Sequence, residues 1–216
     1  MAQPSEPRSL RFKEWMSGHV VFDHLDDLIV VNDDGTGWAR LALEMNMHIS
    51  DVDEFWRGNH IGDLGGTVVC DALGGRLPIH EGHFQLMVPS PDGTHDHMNY
   101  LIQFEDTKGR RLTLHGYKEV APGDFGPWEE TTTTLCRIEH DWVTAIDRWD
   151  PDAPASGVLR IRLWDFIHQE FTFRASPDAS IAVRLHTRAT FAGKFVASLW
   201  HWYRPGHPRR RPGPAE

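Results

Sequence analysis

The sequence predicts a mainly β protein: an antiparallel β-barrel or strongly curved sheet with a C-terminal α-helix. Two observations carry that expectation. Apolar residues recur with period two in segments from Leu10 to Arg174, the mark of strands that bury one face. From Ser176 onward the apolar spacing lengthens to that of a helix.

The opening stretch "LRFKEWMSGHVVF" is a strand whose one face carries Phe12, Glu14, Met16 and Gly18. A turn-rich "HLDDLIVVNDDGTGWA" follows. "RLALEMNMHI" then alternates, with Leu41, Leu43, Met45, Met47 and Ile49 on one side. In "SDVDEFWRGNH", Ser50 is the expected cap of a short helix, with Asp53 supporting its first turn.

Further strands are expected in "GTVVCDAL", "RLPIHEGHFQLMV" and "MNYLIQFED". "EDTKGRRLTLHGYKEV" reads as a hairpin with Lys108 and Gly109 at its tip, placing Leu112, Leu114, Gly116 and Lys118 on one face. A Thr-rich strand in "WEETTTTLCRIEHDW" and one long strand over "VLRIRLWDFIHQEFTFRA" complete the β region. "SPDA" then supplies Ser176 as N-cap and Pro177 at the first helical position, so the helix is expected from about residue 177. Ile181, Leu185, Phe191, Phe195, Leu199 and Trp202 carry its apolar spacing. A single domain is expected over 10–204, between a flexible N-terminus (1–9) and a disordered Pro/Arg-rich tail (205–216).

Composition narrows the function classes. With 31 acidic against 22 basic residues the net charge is −9, which argues against a nucleic-acid partner, since such a partner needs a basic face. Nine Trp and eleven Phe suit a large aromatic core or an apolar cavity. No apolar run reaches the ~20 residues that span a bilayer, and the opening "MAQPSEPRSL" lacks the apolar core of a secretory signal. The expectation is a soluble cytoplasmic protein with no membrane partner, its two cysteines, Cys70 and Cys136, buried and free.

No metal or other cofactor is expected. In "IHEGHF", His80 and His83 on a strand point to opposite faces, and the helical H-E-x-x-H pattern is absent. His95 and His97 share a face, but no third ligand stands at a suitable distance in the sequence. No nucleophile elbow and no P-loop is present.

Four pieces in order resemble a known family: Phe12-x-Glu14-x-Met16-x-Gly18, "EGHFQL" with Gly82, Phe84 and Leu86, "YLIQFEDTKGRRLTLHGYKEV" with Gly116-x-Lys118, and "WEETTTTL". The family is a β-rich accessory domain that accompanies bacterial cholesterol-oxidase-like flavoproteins of the glucose-methanol-choline (GMC) oxidoreductase class. The similarity runs in patches from Phe12 to Tyr203. It implies an accessory domain rather than the flavin-binding one, and the chain lacks the G-x-G-x-x-G fingerprint. A flavin oxidoreductase is therefore a possible partner.

Two charges stand where apolar side chains belong, Glu14 and Lys118. The simplest expectation is that they solve each other as a buried pair. With Tyr100 and Asp165 they form the candidate acid–base set, and Phe12, Met16, Met45, Met47, Phe84 and Leu114 are the candidate apolar lining. The expected function is binding of a hydrophobic small molecule (polyketide, terpenoid or sterol-like) in a barrel cavity, with cofactor-free cyclisation or isomerisation. The alternative is a non-catalytic binding or accessory protein.

Overall fold

A computed structural model describes residues 8–22, 38–121, 132–146, 153–161, 174–175 and 179–204. Eight antiparallel strands close into a barrel: β1 (Leu10–Phe22), β2 (Trp38–Ile49), β3 (Ile61–Cys70), β4 (Gly75–Pro89), β5 (Asp96–Glu105), β6 (Arg111–Val120), β7 (Thr133–His140) and β8 (Ala155–Arg160). Each pairs with the next in sequence, and β8 returns to β1, with Ser17 opposite Arg160 and Phe22 opposite Ala155. A short ninth strand, β9 (Arg174–Ala175), extends the same edge of β1 at Leu10 and Arg11. A short helix α1 (Val52–Arg57) links β2 to β3, and α2 (Ile181–Tyr203) ends the described chain. Neither helix is long and apolar enough to cross a membrane.

The period-two pattern sets which residues face inward. Leu10, Phe12, Glu14, Met16 and Val20 of β1 are all buried, and so are Leu41, Leu43, Met45, Met47 and Ile49 of β2. Eight strands enclose a space that side chains alone can fill, and here Phe84, Tyr100, Ile102, Phe104, Leu112, Leu114 and Ile138 complete the packing. A one-residue slip in register would turn Arg11, Lys13 and their neighbours inward, so the hydrophobic pattern fixes the pairing.

Closure demands a close approach that only glycine permits. A Cβ on Gly18 would lie 1.9 Å from the Val158 carbonyl oxygen across the β1–β8 seam. On β3, Gly66 has φ +138 at the point where the β3–β4 register shifts between Asp63 and Thr67. Such a bulge bends a strand into barrel curvature, and a side chain at Gly66 would meet the Glu44 carbonyl oxygen.

The Leu10 end of the barrel is plugged by aromatic rings. Phe55 and Trp56 of α1 meet Phe191 of α2 at ring separations of 6.2 and 5.7 Å. Phe191 also meets Phe12 of β1 at 5.8 Å, and Phe12 packs edge-on against Phe84 at 6.1 Å. The His60 ring stacks on Phe55 and bonds the Leu86 and Met87 carbonyls through Nδ1. Arg8 ties the chain ahead of β1 to this end: its carbonyl accepts from Val52 and its guanidinium pairs with Asp53.

Several local expectations are corrected. The cap of α1 is Asp51, whose carboxylate accepts from the Asp53 and Glu54 amides, rather than Ser50. The helix α2 begins at Ile181 with Ser180 as its cap, four residues later than expected, while 176–178 lie outside the described residues. The long strand expected over Val158–Ala175 is instead two: β8 stops at Arg160 and β9 is separate, with 162–173 outside the described residues. Residues 1–7 and the tail 205–216 lie outside them as well.

Candidate functional site

The ionisable and phenolic residues inside the barrel, Glu14, Tyr100 and Lys118, come from three strands. Glu14 sits at the middle of β1, opposite Met45 of β2. Tyr100 of β5 faces Gly116 of β6, and Lys118 lies two residues along β6, opposite Met98. Gly116 makes the room: a Cβ there would press on both the Tyr100 side chain and Thr134 of β7 at 3.2 Å. Exposure falls to 5% for Glu14, 2% for Lys118 and 1% for Tyr100.

Tyr100 is the direct partner of the carboxylate. Its hydroxyl donates to Glu14 Oε1 at 3.0 Å, and the Lys118 ammonium lies 5.8 Å from the centre of the Tyr100 ring. The expected Glu14–Lys118 pair is thus a triad bridged by an aromatic ring rather than a contact ion pair. Thr134 adds a further polar group, its hydroxyl directed at the Met16 sulfur at 3.5 Å.

Burial governs the protonation of all three. Removal from water pushes the Glu14 carboxyl above its ordinary value, against the opposing pull of the Lys118 charge and the Tyr100 hydrogen bond. Burial likewise pulls Lys118 below its ordinary value, with Glu14 acting the other way. The Tyr100 hydroxyl is raised well above its usual range by burial, then by the charge and hydrogen bond of Glu14. Both ionisable groups are thus moved toward their neutral forms, a perturbation found in functional sites and in buried structural networks alike.

Of the remaining sequence candidates, Phe12, Met16, Met45, Met47, Phe84 and Leu114 all belong to the buried interior core. Asp165 lies outside the described residues. Sequence reasoning missed Thr134, hidden in a run of four threonines. It also missed a second buried polar pair, His115 and Glu139, with Nε2 to Oε1 at 3.4 Å. These two occupy the outer faces of β6 and β7, away from Glu14. The segment 141–146 packs nearby: Val143 accepts from Gln103 and donates its amide to Thr113. Only the odd position of His115 between inward Leu114 and Gly116 signalled a polar outer face.

The histidines form no metal centre among the described residues. His80 and His83 do not face opposite sides as expected, because the β4 register shifts between Ile79 and Glu81 and absorbs one residue. Both lie on the outside, His80 against the Trp142 ring and His83 between Asp63 and Glu81 at 3.2 Å from each. His95 and His97 have ring centres 6.2 Å apart, with His95 Nε2 near the Tyr117 hydroxyl at 3.3 Å.

A groove of about 1030 Å³ runs along the outer wall over β2, β1, β8 and β7, lined by Trp38, Arg40, Leu135, Val158 and Arg160 among others. It is separated from Glu14 by the thickness of the sheet, since the side chains it takes from β1, Ser17, His19 and Val21, alternate with the inward row of Glu14 and Met16. Size alone therefore does not mark it as the site of chemistry.

Compared with family models, with curated proteins and with solved structures, the chain matches none. The functional reading rests on the motifs and on the barrel interior.

Proposed function

We propose that the barrel interior is a proton-transfer site for a hydrophobic small molecule, promoting isomerisation or cyclisation with side-chain chemistry alone. The Tyr100–Glu14 hydrogen bond in an otherwise apolar enclosure, with Lys118 beside it, carries this reading. In the ionised state Glu14 takes a proton from a carbon next to the guest's carbonyl. Lys118 and Tyr100 stabilise the charge that develops on the carbonyl oxygen, and Glu14 returns the proton to another carbon. The methionines that line the space, Met16, Met45 and Met47, adapt their unbranched side chains to admit a guest. The substrate class is polyketide-, terpenoid- or sterol-like.

The test is solvent deuterium incorporation into apolar ketone probes, followed by mass spectrometry. Exchange by the parent and at least a hundredfold slower exchange by Glu14→Gln support the reading. Equal exchange by both, or none by either, overturns it.

A second reading is favoured by the near-complete burial of the triad and by the filled interior. Here the barrel is a non-catalytic accessory domain, with a flavin oxidoreductase as partner, and the triad only fixes the packing. Ketone probes that shift the melting temperature without isotope exchange support it over catalysis.

A further inference from the structure

The outer face of α2 is an apolar stripe that the barrel leaves uncovered. Ile181, Leu185, Val196 and Trp200 are 68%, 63%, 59% and 65% exposed, although each is a side chain that a globular surface normally hides. At 3.6 residues per turn they fall, with Ala189 and Ala192 between them, within one face of the helix. The adjoining face carries Thr187, Phe191 and Trp202, which are buried. Arg184 and Arg188 stand between the two faces on the wheel, so the barrel covers one apolar face and leaves the other open.

Charge selects the partner. The 23 residues of α2 contain Arg184, Arg188 and Lys194 and not one Asp or Glu, in a chain whose net charge is −9. Two such helices meeting face to face would bring like charges together, which disfavours a symmetric dimer through this surface. Arg188 stands beside Ile181 on the helical wheel, close enough for its charged head to reach past the apolar stripe while its stem lies along it. A cationic helix with an apolar stripe and a Trp at one end suits the boundary between headgroups and acyl chains.

We propose that α2 is a peripheral membrane-binding element that lays Ile181, Leu185, Val196 and Trp200 into an anionic lipid surface. The helix rests on the bilayer without crossing it. This departs from the sequence expectation of no membrane partner, which rested on the absence of a spanning segment.

The experiment is flotation of the full chain with vesicles of phosphatidylcholine alone and of phosphatidylcholine mixed with phosphatidylglycerol. Flotation only with the anionic vesicles is expected, weakening as salt is raised. Leu185→Asp with Val196→Asp should abolish it. Arg184→Gln and Arg188→Gln should each weaken binding roughly fivefold, whereas Lys194→Gln, on the side of the helix away from the stripe, should change it little. Circular dichroism checks that the variants fold; should the aspartates disturb the helix, Ile181→Gln with Trp200→Gln replaces them. Absence of flotation, equal flotation with neutral vesicles, or binding that survives loss of the stripe overturns the proposal. So does a dimer seen by light scattering that Leu185→Asp dissolves without any vesicle binding.

Discussion

Tyr100 holds Glu14 inside the barrel: the hydroxyl donates to Oε1 at 3.0 Å across a span of 86 residues in sequence. That contact, with the Lys118 charge beside it, offsets the burial of a carboxyl among Phe and Met side chains. Tyr100→Phe leaves Oε1 without this donor in a site without bulk water, so it should cost about 1–3 kcal/mol. Urea unfolding at neutral pH measures it. A variant as stable as the parent would show that the bond contributes nothing to the fold.

Lys118→Met should destabilise the parent by removing the charge that opposes burial of an ionised Glu14. The same substitution placed on Glu14→Leu should cost far less. Breaking one side of a buried charge arrangement costs about 3–5 kcal/mol, whereas replacing both sides with apolar groups is often neutral. Additive effects in the double-mutant cycle would mean that the two charges do not sense each other.

The pH dependence follows from the directions of the shifts. Folding raises the Glu14 value above its ordinary 4.5, so the folded chain binds that proton more tightly than the unfolded chain. Its contribution is intact below 4.5 and is lost as pH rises toward the folded value. Lys118, lowered from 10.5, works at the other end: stability grows as pH climbs from its folded value to 10.5. Glu14→Gln should therefore gain on the parent as pH rises above 4.5. A parent that gains on Glu14→Gln over that range would reverse the assigned direction.

Both cysteine thiols should be silent. Burial pushes Cys136 up to about 12 and raises Cys70 as well, and the thiolate is the reactive form. A chromogenic disulfide reagent should release no thiol equivalents from the native protein and two after denaturation. Rapid labelling of the native chain would indicate that the barrel opens.

Gly18→Ala should be among the most damaging single substitutions. The added methyl would sit 1.9 Å from a backbone oxygen that cannot swing away, so β1 and β8 would have to part. A loss above about 3 kcal/mol is expected, measured by urea unfolding. Gly193→Ala, where an added Cβ meets nothing within 4 Å, is the control and should be neutral or slightly stabilising.

The alternating strands and the odd placement of Glu14 and Lys118 were legible because one polar residue in a period-two row stands out. Tyr100 was harder to rank, since Met98 to Phe104 is buried throughout and its alternation gives no sign of which side chain meets a carboxylate. The partner of Glu14 is set by barrel closure, which brings β1 and β5 to face each other across the interior. The bulges were equally hidden: Met87 takes φ 54 inside β4, a conformation that an ordinary apolar run does not announce. Asp51 capped α1 where Ser50 was expected because the two lie side by side and both are good caps, so the entry angle of the chain decides.

The seam between β1 and β8 has a consequence for synthesis. As the chain emerges, β1 finds one neighbour at once in β2, but its other edge must wait for Ala155–Arg160 and then Arg174–Ala175. Until those residues emerge, β1 and β7 both present open edges able to recruit strands from other chains. Pairing across nearly the whole sequence also raises the contact order, which slows folding. A nascent or truncated chain ending before β8 is therefore the form of this protein most exposed to aggregation and most in need of a chaperone.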